Sequence, residues 1–180
     1  MQISDSQRIP ASRDKVWAAL NDPAVLKQCI PGCEDLQKSS PTEMTATVVL
    51  RVGPVKATFG GKVTLSDLDP PNGYRITGEG SGGVAGFAKG GAVVRLEAEG
   101  PDVTVLSYDV DVQIGGRLAQ LGGRLIESTT KKLSGEFFAA FGAIVGGEAE
   151  VVAEAGDTKQ GKRGWFSWLT GAAGGAPGAE

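Results

Sequence analysis

The feature that most limits how this chain can fold is a change of hydrophobic period, from two to helical, at Gly115 and Gly116. Before that point, apolar and polar residues alternate as in strands with one buried face. Met44, Ala46, Val48, Leu50 and Val52 share a side, with Glu43, Thr45, Thr47 and Arg51 opposite. Val55, Ala57, Phe59, Val63 and Leu65 repeat the pattern against Lys56, Thr58, Lys62 and Thr64, and Gly53 with Pro54 reads as the hairpin turn between them. After a turn cluster from Asp69 to Gly73, three further runs follow: Tyr74 and Ile76; Ala92, Val94, Leu96 and Ala98; and Leu106, Tyr108, Val110, Val112 and Ile114. One half-buried antiparallel sheet accommodates them all.

Beyond the glycine pair, Leu118, Leu121, Leu125, Leu133, Phe137, Ala140, Phe141 and Ile144 fall at helical spacing, opposite Arg117, Gln120, Arg124, Glu127 and Lys131. This predicts one long amphipathic helix, with Glu127 and Lys131 in the favourable order and Gly146–Gly147 closing it. At the other end, a short edge strand over residues 2–8 precedes two helices. Ser12 caps the first, whose inner face is Val16, Trp17 and Leu20; Asp22 and Pro23 start the second, which Pro31 and Gly32 stop. The long helix has only the sheet's concave face to cover. The expected fold is therefore α+β, a curved antiparallel sheet wrapped around a long C-terminal helix.

Composition narrows the function. The 180 residues contain no histidine and carry a net charge of −3, with the basic residues scattered through the body. A chain lacking the one side chain that titrates near neutrality, and the commonest nitrogen ligand for metals, is poorly equipped for hydrolytic or zinc chemistry. The positive stripe that nucleic-acid binding needs is missing, so neither DNA nor RNA is an expected partner. No signal-like segment opens the sequence and no apolar run reaches the ~20 residues of a spanning helix, so a cytoplasmic location is expected. Cys29 and Cys33 are too few for a zinc site and read as packing or a redox-sensitive pair. Asp109 and Asp111 share the solvent face and are read as surface charge. Gly78, Gly80 and Gly83 spell G-x-G-x-x-G, but a loop and strand follow where a dinucleotide site needs a helix.

Small residues suggest an internal space. Ala46, Ala57, Gly61, Gly78 and Ala92 lie on the inward sheet face, and Gly122, Gly123 and Gly142 fall in the helix. A filled core would favour larger side chains there. The space is either an apolar cavity or is packed by Phe137, Phe141, Tyr108 and Trp17. For an open cavity, the expected ligand-binding residues are Trp17, Phe59, Tyr74, Phe87, Tyr108, Leu121, Leu125 and Phe137. Residues 80–91, with Val84, Phe87 and Lys89 between glycines, read as a long loop suited to a lid or a contact surface.

The chain divides into a ligand-binding domain (1–147), an acidic-to-basic linker (148–164) and an aromatic tail (165–180). In the tail region, Lys162 and Arg163 precede Trp165, Phe166, Trp168 and Leu169. Cations can meet anionic headgroups while the aromatic residues sit at the interface, so these six are the expected membrane-binding residues. Docking on a protein partner is the other reading of the same aromatics.

Residues 17–33 (WAALNDPAVLKQCIPGC), 86–90 (GFAKG) and 115–138 (GGRLAQLGGRLIESTTKKLSGEFF) closely resemble the carbon monoxide dehydrogenase CoxG family, a branch of the START-like (SRPBCC) superfamily. The resemblance implies a START-like helix-grip fold. It also implies an accessory, non-enzymatic role beside a molybdenum hydroxylase of the carbon monoxide dehydrogenase type, recruiting that enzyme to the inner face of the cytoplasmic membrane. It supplies no catalytic residues and no metal site. Together, the cavity and the tail lead to the expectation of a carrier for a quinone or lipid-like molecule, with no covalent cofactor. A START-like enzyme of the cyclase or hydrolase type, drawing on Asp5, Ser6 or Tyr108, is one alternative; a tethering factor without a small ligand is another.

Overall fold

The computed structural model describes residues 1–155, with side chains through residue 146. The chain runs β1 (Gln2–Ile9), α1 (Arg13–Leu20), α2 (Pro23–Cys29), β2 (Cys33–Ser40), β3 (Glu43–Val52), β4 (Val55–Asp69), β5 (Gly73–Ser81), β6 (Phe87–Ala98), β7 (Thr104–Gly115) and α3 (Gly123–Ala155). The strands form one antiparallel, seven-stranded sheet in the order β1-β7-β6-β5-β4-β3-β2. Consecutive hairpins build β2 to β7, and α1 with α2 carries the chain from one sheet edge, β1, to the other, β2. The curved sheet wraps the long helix, as the change of period predicts.

The helix starts obey local chemistry. Ser12 Oγ accepts a hydrogen bond from the Lys15 amide at 3.3 Å, and Asp22 Oδ1 accepts one from the Ala24 amide at 2.9 Å with Pro23 following. Each side chain satisfies an amide that a helix start would otherwise leave unpaired. Glu127 and Lys131 pair at 3.1 Å on the exposed side of α3.

The main core lies at the C-terminal half of α3, where Phe141 and Val145 meet Ile9, Val16, Leu20 and Leu106. Phe141 and Val16 are fully buried. Thr104, also fully buried, donates a 2.7 Å hydrogen bond to the Ala11 carbonyl, which fastens the turn after β1 to the start of β7. A second cluster at the other end joins Val52, Val55, Ala85, Leu118 and Ile126, with Leu121 and Leu125 packed against it.

Three local expectations are corrected. Residues 80–91 do not form a long loop: β5 continues to Ser81 and β6 begins at Phe87, so the connection shrinks to a tight turn over 82–86. Glycine permits this turn to cross the one after β7, since a Cβ on Gly116 would stand 2.5 Å from the Gly86 α-carbon and both residues have positive φ. Gly122 does not lie within the long helix. Its φ of +92° separates a short 3₁₀ turn (Gly116–Leu121) from α3. The helix also does not close at Gly146 and Gly147; its backbone continues to Ala155, into the first part of the segment read as linker, where Glu148, Ala149 and Glu150 are good helix formers. Finally, β2 is a strand that its mostly polar sequence does not announce. It is an edge strand in which Leu36 supplies the inward contact.

Candidate functional site

Between the concave sheet face and α3 lies a cavity of about 760 Å³. Its floor is made by residues with almost no side chain. Ala46 on β3 pairs with Gly61 on β4, Gly61 with Gly80 on β5, and Gly80 with Ala88 on β6; Gly78 pairs with Gly90 beside them. The same parity that places Met44, Leu65, Tyr74 and Val94 in the core turns these small residues toward the helix. The small residues leave between sheet and helix the volume that larger side chains would fill. Ala57, expected to share this floor, instead packs in the second cluster.

The walls are apolar. Leu20, Leu26 and Ile30 enter from α1, α2 and the residue after it; Val48, Leu50 and Val63 come from the sheet; Ile126, Leu133, Phe137 and Phe138 form the roof. The roof also carries the hydroxyls of Thr129, Thr130 and Ser134, of which Thr130 is already bonded to the Ile126 carbonyl at 2.8 Å. Lys62, Glu79 and Lys89 belong to the strands that pave the floor, but alternation turns their exposed side chains to the outer face. Tyr74 and Tyr108 are therefore the ionisable side chains that the described residues present to the cavity.

Of the residues expected to bind a ligand, Phe59, Tyr74, Tyr108 and Phe137 line this space together. Trp17 does not. Its ring meets Tyr74 edge-on with centroids 5.3 Å apart, so it buttresses a lining residue from behind. Leu121 and Leu125 lie in the second cluster: Leu121 belongs to the 3₁₀ turn before the break at Gly122, and Leu125, in the first turn of α3, packs over Gly53 in the β3–β4 hairpin. Phe87 has the opposite parity to Ala88, stands partly exposed over Gly115 and faces a different depression with Met1 and Ile114. Sequence reasoning missed Phe138, whose ring stacks on Tyr108 at 5.7 Å, and the floor positions Gly80, Ala88 and Gly90. Strand parity alone identifies those three once the ends of β5 and β6 are known. Lys162, Arg163, Trp165, Phe166, Trp168 and Leu169 lie outside the described residues.

Electrostatics agree with an apolar site. Burial pushes the Tyr74 hydroxyl up to about 12, so it is a neutral donor at any physiological pH. Asp5 and Ser6 are exposed on β1, away from the cavity, which leaves Tyr108 as the one residue of the enzymatic alternative to reach it. Cys29 and Cys33 are both free thiols; burial raises the pKa of each and keeps them protonated. Among the described residues, no group of His, Cys, Asp and Glu could hold a metal ion, and no helix is long and apolar enough to cross a membrane. A further depression, of about 1070 Å³, crosses the outer sheet face among Lys62, Arg75, Glu79 and Asp109, where exposed charges make it a solvated surface.

Known structures share this architecture. A conserved protein from Geobacillus kaustophilus superposes with a TM-score of 0.76 at 26% identity, over 81% of this chain and 95% of its own. A START superfamily protein from Mycobacterium smegmatis gives 0.61 at 16% identity, covering 80% and 96% of the two chains. The Zhui aromatase/cyclase from Streptomyces sp. R1128 gives 0.58 at 16%, covering 88% and 99%. The last two likenesses establish the START-like fold alone. No curated protein matches the sequence. The family model for CoxG of carbon monoxide dehydrogenase matches residues 6–146, nearly the whole of the sheet-and-helix domain, and the chain belongs to that family.

Proposed function

We propose that this protein is a non-enzymatic accessory factor of a molybdenum hydroxylase of the carbon monoxide dehydrogenase type. It carries a quinone or lipid-like molecule in its cavity and brings the hydroxylase to the inner face of the cytoplasmic membrane, coupling it to the respiratory chain. The observation that carries this reading is the cavity: about 760 Å³, apolar on nearly every side, with two tyrosines as its ionisable groups. That volume falls within the ~300–1,000 Å³ of small-molecule sites, and the lining offers affinity for an apolar body without an acid, base or nucleophile pair to transform it. The family name supplies the partner class. The basic and aromatic residues from Lys162 to Leu169 supply the membrane contact.

Native mass spectrometry of protein taken from its own membranes, followed by titration with a prenylated quinone, tests the carrier. A bound or bindable apolar molecule is expected; its absence at saturating quinone leaves only the tethering role. Flotation with anionic liposomes tests the tail. Deleting residues 159–180 is expected to abolish flotation and leave the fold intact, and wild-type flotation by the truncated protein refutes the anchor. Turnover of a cavity-bound molecule that disappears in Y108F would favour the enzymatic alternative.

A further inference from the structure

Tyr74 and Tyr108 form a pair that the packing of the domain does not explain. Both are the register partners of Val94, Tyr74 from β5 and Tyr108 from β7, so the two side chains flank β6 on the concave face. Their α-carbons are therefore about 10 Å apart, two strand spacings. Their exposures are 6% and 9%. Each ring is held by an aromatic neighbour: Tyr74 by Trp17 with centroids 5.3 Å apart, and Tyr108 by Phe138 at 5.7 Å. Yet neither hydroxyl has a hydrogen-bond partner among the described residues, although buried polar groups are almost always paired. Phenylalanine would pack equally well and would leave no polar atom to satisfy.

The residue between the two tyrosines and the rings that hold them are apolar or aromatic: Val94, Trp17 against Tyr74, and Phe138 against Tyr108 with Phe137 beside it. A ligand that brings its own acceptor oxygen satisfies these donors without adding a polar group to that lining. We propose that Tyr74 and Tyr108 are the polar recognition element of the cavity, donating hydrogen bonds to a carbonyl oxygen at one end of an otherwise apolar ligand. The inference rests on the carrier reading and deepens it: the cargo is defined by an oxygen at the tyrosine end as well as by an apolar body. Burial keeps the Tyr74 hydroxyl protonated well beyond neutral pH, so its donation to a neutral acceptor is insensitive to pH there.

The test uses the full chain and its Y74F, Y108F and doubly substituted forms, with three probes. These are a 1,4-quinone with a short prenyl tail, the methyl ester of a long-chain fatty acid, and the arene with the same prenyl tail and no oxygen. The double variant is expected to lose roughly 10-fold or more in affinity for a carbonyl-bearing probe, with each single variant accounting for about 3-fold or more. Its affinity for the oxygen-free arene is expected to stay unchanged. Loss confined to the quinone assigns a ring carbonyl, and loss confined to the ester assigns a lipid carbonyl; either supports the proposal. The ligand-free double variant should melt no lower than the wild type, since only unpaired donors are removed. Equal affinity of wild type and double variant for both carbonyl probes overturns this inference and leaves the carrier standing. Failure of all three probes to bind the wild type overturns both.

Discussion

Gly61 and Gly80 are direct register partners on β4 and β5, and a Cβ built on Gly61 would lie 3.9 Å from the Gly80 α-carbon. This contact opens the floor of the cavity at its centre. The strand geometry itself would accept a side chain here: a Cβ on Gly80 meets the Gly60 carbonyl oxygen at 3.6 Å, an ordinary contact. Gly80→Leu is therefore expected to fill the cavity, raising unfolding stability by about 1 kcal/mol and lowering affinity for a prenylated quinone at least ~10-fold. Chemical denaturation alongside quinone titration checks it. Unchanged quinone affinity in a folded variant would remove Gly80 from the site.

Gly90 is the contrasting floor residue. It pairs with Gly78 on β5 and Val112 on β7, and a Cβ there would collide with the Asp111 carbonyl and stand 2.7 Å from the Val112 α-carbon. Backbone atoms of a paired strand cannot step aside cheaply. Gly90→Ala should cost about 1–3 kcal/mol in urea unfolding, whatever it does to ligand binding.

Thr104 ties two distant parts of the chain with one buried bond, its hydroxyl donating to the Ala11 carbonyl at 2.7 Å. Thr104→Val keeps the shape and leaves that carbonyl without a donor. The expected loss is about 1–3 kcal/mol, read as a lower urea midpoint with the slope unchanged.

On the outer face, Ser4 Oγ donates to Asp109 Oδ1 at 2.6 Å and Arg95 Nη1 approaches Oδ2 at 3.3 Å. The Ser4 hydrogen bond first, then Arg95, holds the carboxyl below its ordinary value of 3.8. A carboxylate lowered in this way favours the folded state above its unfolded pKa, and the contribution fades as pH falls through the folded one. Asp109→Asn should therefore lose a small part of the stability at pH 7 and show a shallower decline than wild type as pH falls below about 4. Parallel declines for the two proteins in denaturation series over that range would contradict it.

Much of the fold is legible in the sequence because its signals are local. Ser12 and Asp22 announce helix starts through the hydrogen bonds their own side chains make to amides two or three residues on. The alternation from Met44 to Ile114 reports which side of each strand is buried, since side chains must alternate across a strand. It fails where side chains are too small or too polar to carry a period. Residues 80–91, rich in glycine, read as a loop although most of them are paired strand, and on the inward side of β2 the apolar Leu36 is followed by Lys38 and Ser40, which carry no hydrophobic period.

By itself, the sequence determines an antiparallel sheet with a long helix against it, the inward face of each strand it recognises, and a shortage of large side chains on that face. What it could not determine is which residues meet. Only strand register brings Ala46, Gly61, Gly80 and Ala88 into one continuous floor. Only the break at Gly122 sets Leu121 in a separate turn outside the cavity, only the β3–β4 hairpin at Gly53 brings a partner to Leu125, and only the parity of β6 turns Phe87 away. Likewise, that Tyr74 and Tyr108 flank the same valine follows from two strand pairings made across β6. The physical reason is range: caps and periods are set by neighbours a few residues away, whereas a cavity is bounded by residues far apart in sequence, whose meeting is decided by the sheet as a whole.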